Sequence, residues 1–140
     1  MQPPELARRL ASVEFFSTLP EATRRQIAGH IVEMKHSPGR VLTEQGMDGA
    51  GFHLILHGTA DVQVGGQLRA TLKVGDSFGE ISLIDGAPRS ATVVAGARGL
   101  TTAAISPLAF APLLDDPEVA KPLLRVLTAR LRAAEARAAA

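Results

Sequence analysis

From Arg40 onward the apolar residues of this chain stop recurring every third or fourth position and begin to alternate. Before that point Leu6, Leu10 and Val13, and then Ile27 and Ile31, are spaced as on a helix face. Beyond Ser106 the helical spacing returns, with Leu123, Leu127, Leu131 and Ala134 in one stripe and Arg125, Arg132 and Glu135 off it. A chain that changes period from 3.6 to 2 and back segregates its helices from its strands, which makes it an α+β protein.

The boundaries follow from local signals. Residues 3–36 read as helical, with Pro3 and Pro4 at a helix start, a break around Phe16–Pro20, and Pro20 at the first position of a second helix. "HSPGR" is a turn. The runs "RVLTEQG", "GFHLILHGTADVQV", "QLRATLKV", "ATVVAG" and "GLTTAAIS" are short strands separated by glycines, and Val64-Gly65-Gly66-Gln67 is a tight hairpin. Short strands at this spacing suggest a small antiparallel β-roll, or jelly roll. "SPLAFAPLL" is a short helix. Asp116 is placed to cap the next one, with Pro117 first and Glu118 in its first turn. Pro122 lacks the N–H owed to the Glu118 carbonyl, so it is expected to end that helix and open a new one.

The bulk numbers narrow the class. With 140 residues the chain is sized for one domain, and no linker divides it into two cores. The net charge of +1 sets up no global field for nucleic acid or an anionic membrane. There is no cysteine, hence no disulfide or thiol chemistry. Arg8 and Arg9 interrupt any leader-like apolar run, and no stretch approaches the ~18 apolar residues of a membrane span. The chain reads as cytoplasmic. Trp and Tyr are absent, so ring stacking on a ligand falls to five Phe or to Arg.

One segment carries chemistry: "GDSFGEISLIDGAPRSATVV", residues 75–94. Gly79 removes a Cβ where the backbone turns sharply or approaches a ligand. "GEISLI" reads as a one-turn helix beginning at Glu80, Ile81 and Ser82, whose first amides have no intrahelical acceptor and can bind an anion. Arg89 starts the following strand and faces back toward those amides. A phosphate between the amides and a guanidinium satisfies both. Glu80 would point away from it, toward a hydroxyl donor such as a ribose 2′-OH. An ordinary surface ion pair between Glu80 and Arg89 does not account for the surrounding glycines and serines.

"FGEISL…APRSATV" resembles the phosphate-binding cassette of the cyclic nucleotide-binding domain family, found in cyclic-nucleotide-gated channels, cAMP-dependent kinase regulatory subunits and catabolite-activator-type regulators. "FFSTLPEATRRQIA" is similar to the family's N-terminal helical segment, "GRVLTEQGMDGAGFHLILHGTADV" to its first strands, and "PEVAKPLLRVLTARL" to its B and C helices. The resemblance implies one domain over 1–140: N-terminal helices to residue 38, a β-roll over 39–106 with the cassette at 78–93, and the B and C helices over 107–140. It implies that Gly79 and Glu80 hold the ribose and that the amides of Ile81 and Ser82 approach the sugar-phosphate. Arg89 would pair with the cyclic phosphate, with Ser90 and Ala91 adding hydroxyl and amide donors. Val62 and Leu72 would line the base side, and Arg130 on the C helix would cap the purine. Where the family often has Gly-Asp before the second strand, this chain has Ala50-Gly51, and its frequent Tyr there is His53 or Phe52. Ser90 in place of Thr leans toward cAMP over cGMP.

Other chemistries find less support. His53 and His57, four apart on one strand, lie about 13 Å from each other in extended chain, too far for one metal ion, and His30 and His36 stand isolated. No Ser/His/Asp grouping is suggested by spacing, and Asp85 sits in a "DG" turn where Asp is expected. The expectation is therefore a non-catalytic sensor without cofactor or metal. Its ligand is cAMP, with cGMP second, and its C helix closes over the ligand and signals to an effector. That effector is unspecified: a channel, an enzyme, or none. A homodimer through the C helix, direct contact with neither nucleic acid nor membrane, and the alternative of a ligand-free jelly-roll interaction module complete the reading.

Overall fold

The structure, a computed structural model, describes residues 1–43, 46, 51–86 and 90–139. The N-terminal segment forms α1 (Pro3–Ala11), α2 (Glu14–Ser17) and α3 (Glu21–Ala28). Leu6 and Leu10 bury the inner face of α1, and Phe15 and Phe16 fill the core from α2. Pro20 is the N-cap of α3 rather than its first residue, and Gly29 is its C-cap.

Helix stops earlier than the sequence predicts. Val32–His36 is a strand, β1, paired antiparallel along its length with the last part of β6 (Thr92–Ile105), from Val32↔Ala104 to His36↔Leu100. The alternation of Val32, Glu33 and Met34 is too short to stand out from the preceding helix, and the pairing comes from a segment some seventy residues later. The β6 strand is also one element where two were expected. The remaining strands are β2 (Val41–Thr43), β3 (Phe52–Val64), β4 (Gln67–Leu72) and β5 (Ser77–Phe78). The order is β1-β6-β3-β4, with β2 also on β6 and β5 also on β3. The β3–β4 connection is the hairpin expected, with Gly65 and Gly66 both at positive φ and Val64 opposite Gln67. Together the sheet and its flanking helices form the expected α+β antiparallel β-roll.

The β3–β6 ladder runs from Phe52↔Ile105 to Gln63↔Thr92 and shifts register twice, between Ile55 and His57 and between Gly58 and Ala60. Such shifts bend and twist a strand pair. The bend brings two backbones into contact: a Cβ on Gly58, which sits at φ +83°, would lie 2.2 Å from the Gly99 carbonyl oxygen. The ladder thereby serves two cores. Its helix-facing part packs Phe52, Leu54 and Ile105 against α1–α3 and the C-terminal helices. Its other part encloses Ile55, Ala60, Val93, Ala95 and Leu100, with Val62, Leu72 and Phe78 at the margin. Phe16 meets Phe15, Phe52 and Phe110 edge-on, joining α2 to β3 and to α5 (Pro107–Phe110).

After α5 and a 3₁₀ turn (Ala111–Asp115), α6 runs from Pro117 to Ala139. Asp116 caps it as expected, Oδ1 accepting from the Glu118 amide at 2.9 Å. Pro122, however, lies inside a continuous helix rather than between two. Val119, Leu123 and Val126 bury one face of α6 in the first core, and that burial outweighs the single bond lost at the Glu118 carbonyl. The apolar stripe is buried at Leu123, partly covered at Leu127, and exposed at Leu131. No helix among the described residues is long and apolar enough to cross a membrane.

Two histidines behave otherwise than expected. His36 is not isolated: its Nε2 lies 3.2 Å from Thr102 Oγ1, and His53 Nδ1 lies 3.0 Å from the same oxygen. A hydroxyl carries one proton, so it donates to one ring and accepts from the other. His53 is buried while His57 is exposed, with the first register shift between Ile55 and His57. His53 also stacks flat on Phe78, with ring centroids 5.0 Å apart. Burial, and then the charge of Arg40, hold the His36 pKa below its ordinary 6.5.

Two outcomes follow from these contacts. Gly58→Ala adds the cost of a left-handed backbone, ~1–2 kcal/mol, to an overpacking cost of ~1–3 kcal/mol, and urea unfolding should show the sum. His36 is neutral in the folded chain and gains a proton more easily once unfolded. Its burial therefore stabilises above pH 6.5, and that contribution is lost as the pH falls from 6.5 toward the lower folded value. Thermal melts from pH 7.5 to 5 should show a shallower decline for His36→Gln than for the parent chain; parallel declines would remove His36 from the account.

Candidate ligand-binding site

Within residues 75–94, β5 pairs with β3, His53 opposite Phe78 and Leu54 opposite Ser77. Gly79 follows in the left-handed region, at φ 90° and ψ 9°, which a residue with a Cβ adopts only at a cost. It turns the chain into α4 (Glu80–Asp85), which ends at Gly86, again left-handed at φ 63°. Two glycines thus bracket a short helix. Leu83 and Ser82 are buried, pinning α4 down, while Ile81 is exposed. The first-turn amides of Glu80, Ile81 and Ser82 have no intrahelical acceptor; the first such bond runs from the Leu83 amide to the Gly79 carbonyl at 3.2 Å.

A cavity of about 470 Å³ opens beside α4. Of the residues singled out in the sequence, Val62, Gly79, Glu80, Ile81, Ser82, Ser90 and Ala91 line it. Arg89 lies outside the described residues. Leu72 and Arg130 do not line this cavity; they line a neighbouring one of about 330 Å³, which shares Ser77 and Glu80 with the first. The size suits a small organic ligand. Its wall is apolar at Val62, Phe78 and Val93, and its polar groups gather near α4 and the start of β6.

Sequence reasoning did not place Thr43, Ser77, Phe78, Asp85 and Val93 in this cavity, yet all five line it. Thr43 is buried at the end of β2, where its hydroxyl donates to the Ala91 carbonyl at 3.4 Å. That partner is 48 residues away, so no local pattern reveals it. Ser77, Phe78 and Asp85 fall within the segment already quoted, and only their facing was hidden.

Arg130 is held from two sides. Its Nε donates to Glu14 Oε1 at 2.8 Å and its Nη1 to Glu80 Oε1 at 3.2 Å. The guanidinium carbon lies 5.8 Å from the centre of the Phe15 ring. Burial works to lower its pKa, but the hydrogen bond to Glu14 and the charges of Glu80 and Glu14 outweigh it and raise it above that of an ordinary guanidinium. Arg130 is therefore a permanent cation next to Glu80. Glu14 was not singled out in the sequence; it stands 116 residues from its partner.

No group of three or more His, Cys, Asp or Glu side chains among the described residues could hold a metal ion. What the arrangement offers instead is a half-open cavity with free helix-start amides, serine hydroxyls, and a carboxylate whose charge is compensated from behind.

Comparison with known proteins agrees in fold and in segment. Residues 33–116 match the family model described as "Cyclic nucleotide-binding domain". Over 118 residues the chain is 36% identical to a cAMP-dependent protein kinase regulatory subunit of Pyricularia oryzae, an alignment covering 83% of this chain and 29% of that protein. Over 86 residues it is 38% identical to a cGMP-dependent protein kinase of Toxoplasma gondii, covering 61% of this chain and 9% of the other. The crystal structure of the N-terminal domain of a transcriptional regulator from Streptomyces coelicolor A3(2) has the same fold, with a TM-score of 0.82 at 24% identity over 92% of this chain and 94% of that one. This chain spans less than a third of the length of either curated relative.

Proposed function

The chain belongs to the cyclic nucleotide-binding domain family, and from that premise we propose that it is a non-catalytic sensor of cAMP, with cGMP as second ligand, acting as one module over residues 1–140. The observation that carries the reading is the cavity itself. Gly79, Glu80, Ile81 and Ser82 on one side meet Ser90 and Ala91 on the other, although α4 and the start of β6 are separate elements. Arg89 immediately precedes Ser90. A cyclic phosphate seated there would meet the first-turn amides of α4, the Ser90 hydroxyl and the Arg89 guanidinium. Glu80, with one oxygen on Arg130, has the other to accept from a ribose hydroxyl. The relatives' names, a cAMP-dependent and a cGMP-dependent kinase, support these two ligands.

Transmission would run through α6. Pro122 removes one bond inside the helix, at the Glu118 carbonyl, and marks the turn where α6 can bend. A ligand favours the bent, closed arrangement only by the contacts it makes there and not in the open one. Leu72 and Arg130 both line the second cavity, so a base reaching into it would meet the two while Arg130 keeps its bond to Glu80.

Calorimetric titration of the purified chain with cAMP and cGMP tests the reading. Heat with one-to-one stoichiometry is expected; its absence would return the chain to an interaction module without ligand. Arg89→Ala leaves a phosphate without its cation and should cost about 3–5 kcal/mol, at least ~100-fold in affinity; a loss under about fivefold would remove Arg89 from the site. Glu80→Ala should cost less, about 1–3 kcal/mol. A 2′-deoxy ligand should then lose nothing further, whereas additive losses would separate Glu80 from the ribose.

A further inference from the structure

Three helices that begin far apart in sequence meet on one guanidinium. Glu14 opens α2, Glu80 opens α4, and Arg130 lies in the second half of α6. The Arg130 side chain is 34% exposed, Glu80 23% and Glu14 70%. A guanidinium is planar and rigid, so its Nε–H and Nη–H directions cannot turn independently. Seating Nε on Glu14 at 2.8 Å therefore fixes the plane from which Nη1 reaches Glu80 Oε1 at 3.2 Å. Glu80 faces both cavities, whereas Glu14 lines the second and a recess along α6 but not the first. Glu14 is thus outside the proposed nucleotide cavity and one residue removed from it. Both Glu14 and Arg130 also lie outside residues 33–116, the span that the family model matches.

Resting on the nucleotide reading above, we propose that Glu14 is a positioning residue for sugar recognition. It aligns Arg130, Arg130 holds one oxygen of Glu80, and the other oxygen is left aimed at the ribose hydroxyl. The arrangement also solves a charge problem. An anionic ligand beside the Glu80 carboxylate would be repelled, and Arg130 offsets that charge from the far side. Without Glu14 the guanidinium can rotate, and Glu80 loses both its orientation and part of its compensation. The preference for a ligand bearing the 2′-hydroxyl weakens as a result.

The test compares cAMP with 2′-deoxy-cAMP on the intact chain, its Glu14→Gln, Arg130→Lys and Glu80→Gln variants, and the Glu14→Gln/Glu80→Gln double variant. The parent chain should prefer cAMP by ~10-fold or more, as for a hydrogen bond to a charged acceptor. Because Glu14 is well exposed, the effect passing through it is small: Glu14→Gln should narrow that preference by about threefold. Arg130→Lys keeps the charge but not the fork, and should narrow it at least as much. In the Glu80→Gln background, Glu14→Gln should change nothing. A merely structural role would lower both affinities together and leave their ratio intact; that outcome, or an unchanged ratio with unchanged affinities, overturns the proposal while the nucleotide reading stands. If the parent chain binds neither nucleotide, both readings fall together. Thermal melts of each variant identify any ratio that changes only because the chain has unfolded.

Discussion

The bent antiparallel ladder between β3 and β6 is the constraint on which the rest of this molecule depends. Thirteen and fourteen residues long, the two strands would extend well past one flat layer if they stayed in register. The two shifts between Ile55 and Ala60 break them into an upper and a lower half, and the near contact of Gly58 with the Gly99 carbonyl shows how tightly the bend is drawn. Every other strand takes its place from this pair: β1 and β2 along β6, β4 and β5 along β3.

Because the ladder bends, one sheet has two apolar interiors. The half carrying Phe52, Leu54 and Ile105 has Phe16 and Phe110 against it, and so fixes α2 and α5. The other half closes on Ile55, Ala60 and Val93 and leaves a cavity at its margin, where Val62 and Phe78 are only partly covered. The segment from β5 to α4 crosses between the two. Leu83 belongs to the first core, Phe78 packs against the second, and the left-handed Gly79 makes the turn that allows both. Glu80 therefore stands between the cavity and the helices, and its bond to Arg130 joins the two.

Much of this was legible in the sequence where the signal is local. The Gly65-Gly66 hairpin, the Asp116 cap and the short helix after Gly79 each rest on a few adjacent residues, and each stands where expected. What escaped was decided at long range. Val32–His36 became a strand because the end of β6 offers it a partner, and a five-residue alternation after two helices is easily read as more helix. Pro122 did not stop α6, because Val119, Leu123 and Val126 are all held in the core around it. The pairing of His36 with His53 across Thr102, and of Glu14 with Arg130, joins residues that no spacing rule connects. The cavity divides the same way: most of its lining comes from the one segment between Ser77 and Val93, whereas Thr43 comes from β2, far back in the chain.

The central claim is that one anion sits between α4 and the start of β6. Its most direct measurement is an isotope-labelled chain titrated with cAMP, following the amides of Gly79, Ile81, Ser82, Ser90 and Ala91 together with Arg130 Nε. The account predicts that these signals move most, in concert, and stop moving at one equivalent. Signals that stay still at millimolar cAMP, or shifts confined to β1 and α3, would contradict it.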